Sequence, residues 1–377
     1  DPPPGKTPRS LKSVSLSYYF FPWDNKITND LNKSLAYLPY YQNKKWAKQF
    51  EKELNEYKNQ QKISQYLGVV RKDYQGAYIN VSKNGDRKTW NSQPFPDPNS
   101  SIVFLFGGSA MFGYGSRDDY TIASQLSRLL NQNLSRKYYV YNYGQIGFTF
   151  TQEVFQLILL LREGKKPDIA IFYDGVNEIY HAHYSGEAGT TMPFKRIQQK
   201  LALNEPTAIQ HILIGYKDLL ENYSTIYKAL GKITTQFEQK NSVLFKEVHN
   251  NKIAKEIVEY YFKTYSILDA LSKSFHFEYL CLLQPVLFLE DSIMEINEIE
   301  NATILNDKQL KHLYHKCYVS IRNQSPKNFF DLSNCLQDRS IPLYNDFCHL
   351  NEIGDQEIAM HIYNVLYEKQ YLKTLTK

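Results

Sequence analysis

From Ser101 onward, short apolar runs alternate with segments of helical periodicity, and this alternation limits the folds that the chain can adopt. Buried parallel strands are apolar at nearly every position and are joined by helical crossovers, so the pattern predicts an α/β fold. We expect a doubly wound parallel sheet of about five strands with helices on both faces. The predicted strands are Ile102–Phe106, Tyr138–Tyr141, Ile169–Tyr173, Tyr279–Leu283 and Phe329–Leu332. The predicted helices lie at about Tyr120–Asn131, Thr151–Arg162, Asp307–Arg322 and Glu352–Lys369.

Residues 1–100 lack this alternation, and we interpret them as an N-terminal extension that packs on the main domain, residues 101–377. Within the extension, the charged segment Lys44–Gln65 predicts a helix. Asn84-Gly85 lies between two extended runs and predicts a β-hairpin, because both turn positions of such a hairpin need positive φ.

The alternation also stops between about residues 181 and 277. Apolar residues recur there at helical spacing, so we predict an all-helical insertion with helices at Ala208–Leu230 and Asn251–Ser272. Such an insertion can form a lid or a substrate wall, or its helices can simply complete the core.

Composition excludes several classes of protein. Apolar residues make up 42% and charged residues 22% of the 377 residues, as in folded globular proteins. The net charge is only +5 and no basic block is present, so we expect no nucleic-acid partner. The longest apolar stretch, near Val154–Leu161, is far shorter than the roughly 20 residues that a membrane span needs.

The four cysteines and the start of the chain give two weaker expectations. No CxxC spacing is present, which argues against a zinc site, while a disulfide among Cys317, Cys335 and Cys348 stays open. The chain starts with Asp1-Pro2-Pro3-Pro4 and has no signal segment. We expect either that an upstream signal or membrane anchor was removed, or that the chain was cut there.

Four segments that follow predicted strands carry polar residues or glycines. Because the carboxyl ends of parallel strands meet at one edge of a sheet, these segments should lie close together. They are Phe106–Gly113, Tyr141–Thr149, Asp174–Glu178 and Asp346–Gly354.

Together the four segments supply the groups of a nucleophilic site. Ser109 lies on a tight glycine turn that can expose its hydroxyl and direct its N–H toward an oxyanion. Gly147 can bring its backbone N–H close to a ligand, and the Asn177 amide can donate to developing negative charge. His349 can act as a general base toward Ser109, with Asp346 orienting the imidazole.

In order and residue type these segments resemble the SGNH/GDSL hydrolase family over about residues 101–370. The family's Gly-x-Ser, Gly, Gly-x-Asn and Asp-x-x-His blocks match Gly107–Ser109, Gly147, Gly175–Asn177 and Asp346–His349. Gly108 and Glu178 stand where Asp is commoner in the family. Gly144 competes with Gly147 for the second block, and the spacing to Asn142 and Thr149 favours Gly147.

The resemblance implies a flavodoxin-like fold and a serine esterase that removes acyl groups, expected to be acetyl, from a carbohydrate or similar ester. Ser109, His349 and Asp346 would form the triad, and Ser109, Gly147 and Asn177 the oxyanion hole. No cofactor or metal is implied. The resemblance also suggests a bacterial protein located outside the cytoplasm, in the periplasm or tethered to a membrane.

Other functions remain open at this point. An O-acyltransferase acting on surface polysaccharide would use the same triad with a sugar hydroxyl as the acceptor. A lipid or thioester hydrolase, or a glycan-binding module without turnover, would also fit the motifs.

Several further polar residues favour structural roles. His181-Ala182-His183 and His312-x-x-His315 have ligand-like spacing but no evident third ligand, so we interpret them as solvated loop or helix surface. Asp118-Asp119 is predicted to cap the helix that follows it. Arg87 is predicted to form a structural salt bridge rather than to bind an anionic substrate.

Overall fold

The computed structural model describes residues 34–191, 243–289, 307–324, 326–337 and 341–372, with side chains at all of these except 243–249 and 288. The predicted helix Ala208–Leu230 lies outside the described residues. No helix in these ranges is both long enough and apolar enough to cross a bilayer.

The described chain alternates between helices and strands from residue 101 onward, as predicted. Its α-helices are α1 Ala47–Asn59, α2 Ser109–Phe112, α3 Ile122–Asn133, α4 Phe150–Arg162, α5 Val176–Ser185, α6 Val243–Phe275, α7 Lys308–Gln324 and α8 Glu352–Glu368. Its strands are β1 Gln61–Ser64, β2 Gly68–Arg71, β3 Tyr74–Gln75, β4 Asn80–Val81, β5 Ser101–Gly107, β6 Tyr138–Asn142, β7 Ile169–Asp174, β8 Glu278–Leu283 and β9 Phe329–Asp331. Short 3₁₀ turns lie at Leu35–Tyr37, Asp118–Tyr120 and Leu287–Leu289.

Five of the strands form one parallel sheet in the order β6-β5-β7-β8-β9. The chain runs from β5 to β6 on one side and then crosses to β7 on the other, which is the doubly wound arrangement that the sequence predicted. All six residues of β7 are buried, because helices cover this central strand on both faces.

The helices form two groups that enclose the sheet. Helix α3 packs on α8, whereas α6 packs on α4, α5 and α7. Helix α6 contains the predicted segment Asn251–Ser272 and extends it at both ends, to 33 residues.

The N-terminal region packs on helix α2, which begins at Ser109. Its apolar cluster includes Tyr41, Phe50 and Tyr57 from this region together with Phe112 of α2. The rings of Tyr57 and Phe112 are stacked, with centroids 5.0 Å apart. The cluster therefore contacts the helix that begins at Ser109.

Two expectations for the N-terminal region were wrong in extent. The helix predicted at Lys44–Gln65 ends at Asn59, because β1 and β2 pair as a hairpin in which branched residues such as Val69 and Val70 favour strand. The hairpin at Asn84-Gly85 closes by one bridge, between Val81 and Arg87, and only Gly85 has positive φ. The Lys88 N–H donates to the Asn80 carbonyl within this hairpin, while the Arg87 N–H points outward and donates to the Asn142 carbonyl of β6, each at 2.8 Å.

The predicted cap at Asp118 was also wrong. Thr121 caps α3, accepting a hydrogen bond from the Ser124 N–H at 3.3 Å. Asp118 instead forms a buried salt bridge with Arg87, with Nε and Oδ1 3.0 Å apart. The structural role predicted for Arg87 is thereby confirmed, since its guanidinium also donates to the carbonyls of residues 112, 113 and 116.

A buried tyrosine ties together two loops at the carboxyl edge of the sheet. The Tyr41 hydroxyl donates to the Gly115 carbonyl at 2.5 Å and accepts from Asn345 Nδ2 at 2.9 Å. Asn345 Nδ2 also donates to the Leu350 carbonyl, at 2.9 Å. The N-terminal region therefore links the loop after Ser109 to the loop that carries His349.

Tyr41→Phe should lower the free energy of unfolding by about 1–2 kcal/mol, because the buried Gly115 carbonyl loses its donor and Asn345 loses an acceptor. Urea titration followed by circular dichroism measures the change. Tyr37→Phe, at a residue 64% exposed, serves as the control and should leave the value unchanged. Equal stability of the two variants would contradict the bridging role of Tyr41.

Candidate active site

Ser109 is the first residue of α2 and directly follows the end of β5. It is partly exposed at the carboxyl edge of the sheet. The N–H of a first helical residue has no acceptor within its helix. Both the hydroxyl and the backbone N–H of Ser109 can therefore face a ligand.

His349 and Asp346 lie in the loop before α8 and reach Ser109 across 240 positions of sequence. His349 Nε2 is 2.6 Å from Ser109 Oγ, and His349 Nδ1 is 2.5 Å from Asp346 Oδ2. Because Asp346 Oδ2 accepts from Nδ1–H, the proton-free Nε2 faces the serine hydroxyl. The structure thus brings the three predicted residues into one hydrogen-bonded chain.

Asp346 is held as a carboxylate despite its burial. Burial acts to raise its pKa, but attraction to His349 and hydrogen bonds from the imidazole and from two backbone N–H groups lower the pKa below its ordinary value. Those N–H groups belong to Cys348 and His349, at 2.9 and 2.8 Å from Oδ1. A fixed negative charge therefore lies beside the imidazole.

The same loop contains three atoms of metal-ligand type. In the described ranges, Asp346, Cys348 and His349 form the group whose ligand atoms lie within 4.8 Å of one another. Burial raises the pKa of the Cys348 thiol well above its ordinary value, and a metal would need the thiolate. Asp346 Oδ2 and His349 Nδ1 bind each other. The arrangement therefore suits proton transfer better than metal binding.

The Asn177 amide lies against the glycine that precedes the serine. Its Nδ2 donates to the Phe148 carbonyl at 2.6 Å, and because an amide carries two N–H groups, one remains for a ligand. A Cβ on Gly108 would lie 2.2 Å from Asn177 Nδ2. A side chain at position 108 would therefore displace the Asn177 amide.

Two glycines competed for the second donor position, and their surroundings differ. The Gly144 N–H donates to Asn142 Oδ1 at 2.9 Å, and a Cβ there would lie 2.3 Å from the Phe112 nitrogen. Gly147 has φ +80°, and its N–H has no acceptor in the described part of the chain. Gly147 is therefore the better candidate donor.

Two side chains that the sequence analysis did not single out also reach the site. The Tyr114 ring stacks on the His349 ring, with centroids 4.4 Å apart, and Lys58 Nζ donates to the Tyr114 hydroxyl at 2.9 Å. Tyr114 lies five positions after Ser109, which is a local signal. Lys58 has none, because its contact joins positions 56 apart.

The two histidine pairs differ in burial and in contacts. His312 and His315 are exposed on α7, as predicted. The prediction of a solvated surface was wrong for His181, which is 3% exposed, with Nε2 2.9 Å from the Gly147 carbonyl oxygen. His183 pairs with Asp307 at 3.1 Å. His181 lies on the buried face of α5. The His-x-His spacing alone did not indicate which face each histidine occupies.

A pair of buried carboxyl groups lies beneath the Gly175 turn. Glu153 of α4 and Asp174 at the end of β7 are buried beside each other, and burial raises the pKa of both well above the ordinary value. Neither oxygen of Glu153 has an N–H or hydroxyl donor among the described residues. The pair therefore retains a proton at a pH where exposed carboxyl groups are ionised.

No family model and no curated protein sequence matches the chain. Solved structures similar to it include an acetyl xylan esterase, AlAXEase, at 14% identity and TM-score 0.37, covering 70% of this chain and 99% of that chain. A Clostridium thermocellum family 3 carbohydrate esterase has 15% identity and TM-score 0.34, covering 74% and 100%. A member of the lipolytic protein G-D-S-L family from Veillonella parvula has 9% identity and TM-score 0.35, covering 71% and 99%. These TM-scores are too low to support a functional assignment, which must come from the site itself.

The carboxyl pair predicts how stability depends on pH. Its folded-state pKa values are raised, so the folded chain holds a proton that the unfolded chain has already lost, and stability falls as pH rises. Each retained proton contributes a slope of about 1.4 kcal/mol per pH unit. Glu153→Gln places an amide beside Asp174 and removes the titratable proton of position 153. Its free energy of unfolding should therefore fall less than that of wild type between pH 5 and 9.

Urea unfolding at pH 5, 7 and 9 measures this slope. Glu163→Gln, at an exposed glutamate just after the end of the same helix, is the control and should keep the wild-type slope. If Glu153→Gln retained the full wild-type slope, the shared proton would be excluded.

Proposed function

We propose that the chain is a serine esterase of the SGNH/GDSL hydrolase type. The observation that carries the proposal is the 2.6 Å contact between Ser109 Oγ and His349 Nε2, in line with the Asp346 carboxylate. A hydroxyl, an imidazole and a buried carboxylate in this order form the constellation that activates serine as a nucleophile.

In the first half of the reaction, Ser109 Oγ attacks the ester carbonyl carbon while His349 Nε2 takes the hydroxyl proton. Asp346 stabilises the imidazolium that forms. The N–H groups of Ser109 and Gly147 and the Asn177 amide donate to the tetrahedral oxyanion. When the intermediate collapses, His349 gives its proton to the leaving alcohol, and the acyl group remains on Ser109.

In the second half, water attacks the acyl carbon and gives a proton to His349. The bond to Ser109 Oγ breaks, the carboxylic acid leaves, and the proton returns to the serine. The balance is one ester and one water consumed, and one alcohol and one acid formed. The proposed geometry needs no further co-reactant.

A carbohydrate ester, with acetyl as the acyl group, is the substrate class that we propose within this reaction. The sequence motifs that resemble the family support it. The partly exposed Tyr114 ring beside His349 also supports it, because aromatic faces with a polar tip suit contact with polar ligands.

Ser109→Ala should reduce kcat for 4-nitrophenyl acetate and for an acetylated glycan by at least about 10³-fold, because the nucleophile is lost while binding remains. Steady-state kinetics and release of acetate measure the effect. A fluorophosphonate probe should add its mass to wild type at Ser109 and should leave Ser109→Ala unlabelled. Ser135→Ala, on the surface, is the matched control.

Unchanged turnover in Ser109→Ala would show that Ser109 is not the nucleophile. An unlabelled wild-type serine without turnover would favour the glycan-binding module. Acyl release that requires an added glycan hydroxyl would favour the O-acyltransferase, and a preference for long-chain or thioester substrates would favour a lipid or thioester hydrolase.

Gly108→Ala should displace the Asn177 amide and reduce kcat by about 10²–10³-fold, which is the typical cost of one oxyanion donor. The melting temperature should change little, because the displaced atom ends a side chain. Asn177→Ala should give a similar loss. The double variant should lose no more than either single variant, because both remove the same donor. Multiplicative losses in the double variant would show that Gly108 acts independently of Asn177.

A further inference from the structure

Helix α5 contacts the loop that carries Gly147 through three side chains. Asn177 Nδ2 donates to the Phe148 carbonyl at 2.6 Å, and His181 Nε2 lies 2.9 Å from the Gly147 carbonyl oxygen. Glu178 Oε1 accepts from the Phe150 N–H at 2.5 Å. Three hydrogen bonds from one helix thus contact three residues within the stretch 147–150, where the neighbouring loop enters α4.

The chemistry of the His181 contact fixes its protonation. A carbonyl oxygen only accepts hydrogen bonds, so Nε2 must carry a hydrogen and donate it. Burial lowers the pKa of His181 to about 4, so the ring is a neutral donor at neutral pH. His181 therefore serves neither as a charged group nor as a second general base.

Hydrogen bonds restrain the peptides on both sides of Gly147. On the amino side, Arg71 Nη1 donates to the Ile146 carbonyl at 3.4 Å, and the Phe148 N–H closes a turn onto the Gln145 carbonyl at 3.2 Å. The Gly147 φ of +80° lies in the left-handed region, and no atom lies within 4 Å of where its Cβ would be. Gly147 therefore has no side-chain packing of its own. The hydrogen bonds to the carbonyls of Gly147 and Phe148 restrain the peptides that follow Gly147, and they limit the backbone rotation on which the direction of its N–H depends.

We propose that His181 is a positioning residue that orients the Gly147 N–H toward the oxyanion. The inference rests on the proposed esterase function. Asn177 lies on the same helix one turn earlier, so α5 supplies one oxyanion donor directly and sets the direction of another.

His181→Phe keeps an aromatic ring and removes the donor, so kcat should fall about 10- to 100-fold, less than for complete loss of a donor. KM should stay within about twofold, because the oxyanion forms only in the transition state. His181→Gln places an amide N–H near the position of Nε2 and should recover most of kcat. His312→Leu, at an exposed histidine, is the control and should match wild type.

Hydrogen exchange read by mass spectrometry gives a second measurement that does not depend on turnover. The peptide covering residues 143–150 should exchange faster in His181→Phe than in wild type and should return toward wild type in His181→Gln. A merely structural role would lower stability without the separate effects on kcat and KM and without rescue by Gln.

Faster exchange with unchanged kcat would overturn the positioning role and leave the esterase proposal intact, provided that Ser109→Ala is inactive. A fall in kcat that His181→Gln does not recover would also overturn it. Absence of serine-dependent turnover in wild type would overturn the esterase proposal and this inference together, and the Ser109→Ala comparison identifies that case.

Discussion

The contact between Ser109 and His349 depends on two loops being held against each other, because the residues lie 240 positions apart. An error of about 1 Å in such a contact can cost about 10²-fold in rate. Tyr41 bridges the two loops with its hydroxyl, and Arg117 binds Glu352 through two hydrogen bonds, at 2.7 and 2.9 Å. Tyr41 of the N-terminal region therefore helps to hold Ser109 and His349 in contact, and the Arg117–Glu352 ion pair makes a second link within residues 101–377.

The carboxyl groups near the site show that burial alone does not determine whether a carboxyl group is ionised. Asp346 is buried, yet it faces an imidazole and two backbone N–H groups, and its pKa is lowered. Glu153 and Asp174 are equally buried but face each other, and their pKa values are raised. A negative charge is therefore held beside the His349 imidazole, and negative charge is suppressed beneath the Gly175 turn.

The periodicity of apolar residues along the chain predicted the parallel sheet and its crossover helices. The five strands, the crossover helices and the four polar segments at the sheet edge followed from the order of apolar runs. The hairpin β1–β2, the cap at Thr121 and the burial of His181 did not. The burial of His181 depends on a partner 34 positions away, the Gly147 carbonyl, which no sequence spacing encodes. The hairpin and the Thr121 cap have partners close in sequence, and the competing helical and Asp signals concealed them.

Two residues that differ from the motifs the sequence resembles, Gly108 and Glu178, both lie near the start of α5 in the structure. Gly108 replaces the commoner Asp, and the space beside it is filled by the Asn177 amide. Glu178 also replaces Asp, and its carboxylate accepts from the Phe150 N–H and from the Gly175 N–H, at 2.5 and 3.2 Å. An aspartate is one methylene shorter, so the longer side chain suits a contact that spans both loops. Gly108 thus leaves room for the Asn177 amide, and Glu178 joins the Gly175 turn to the start of α4.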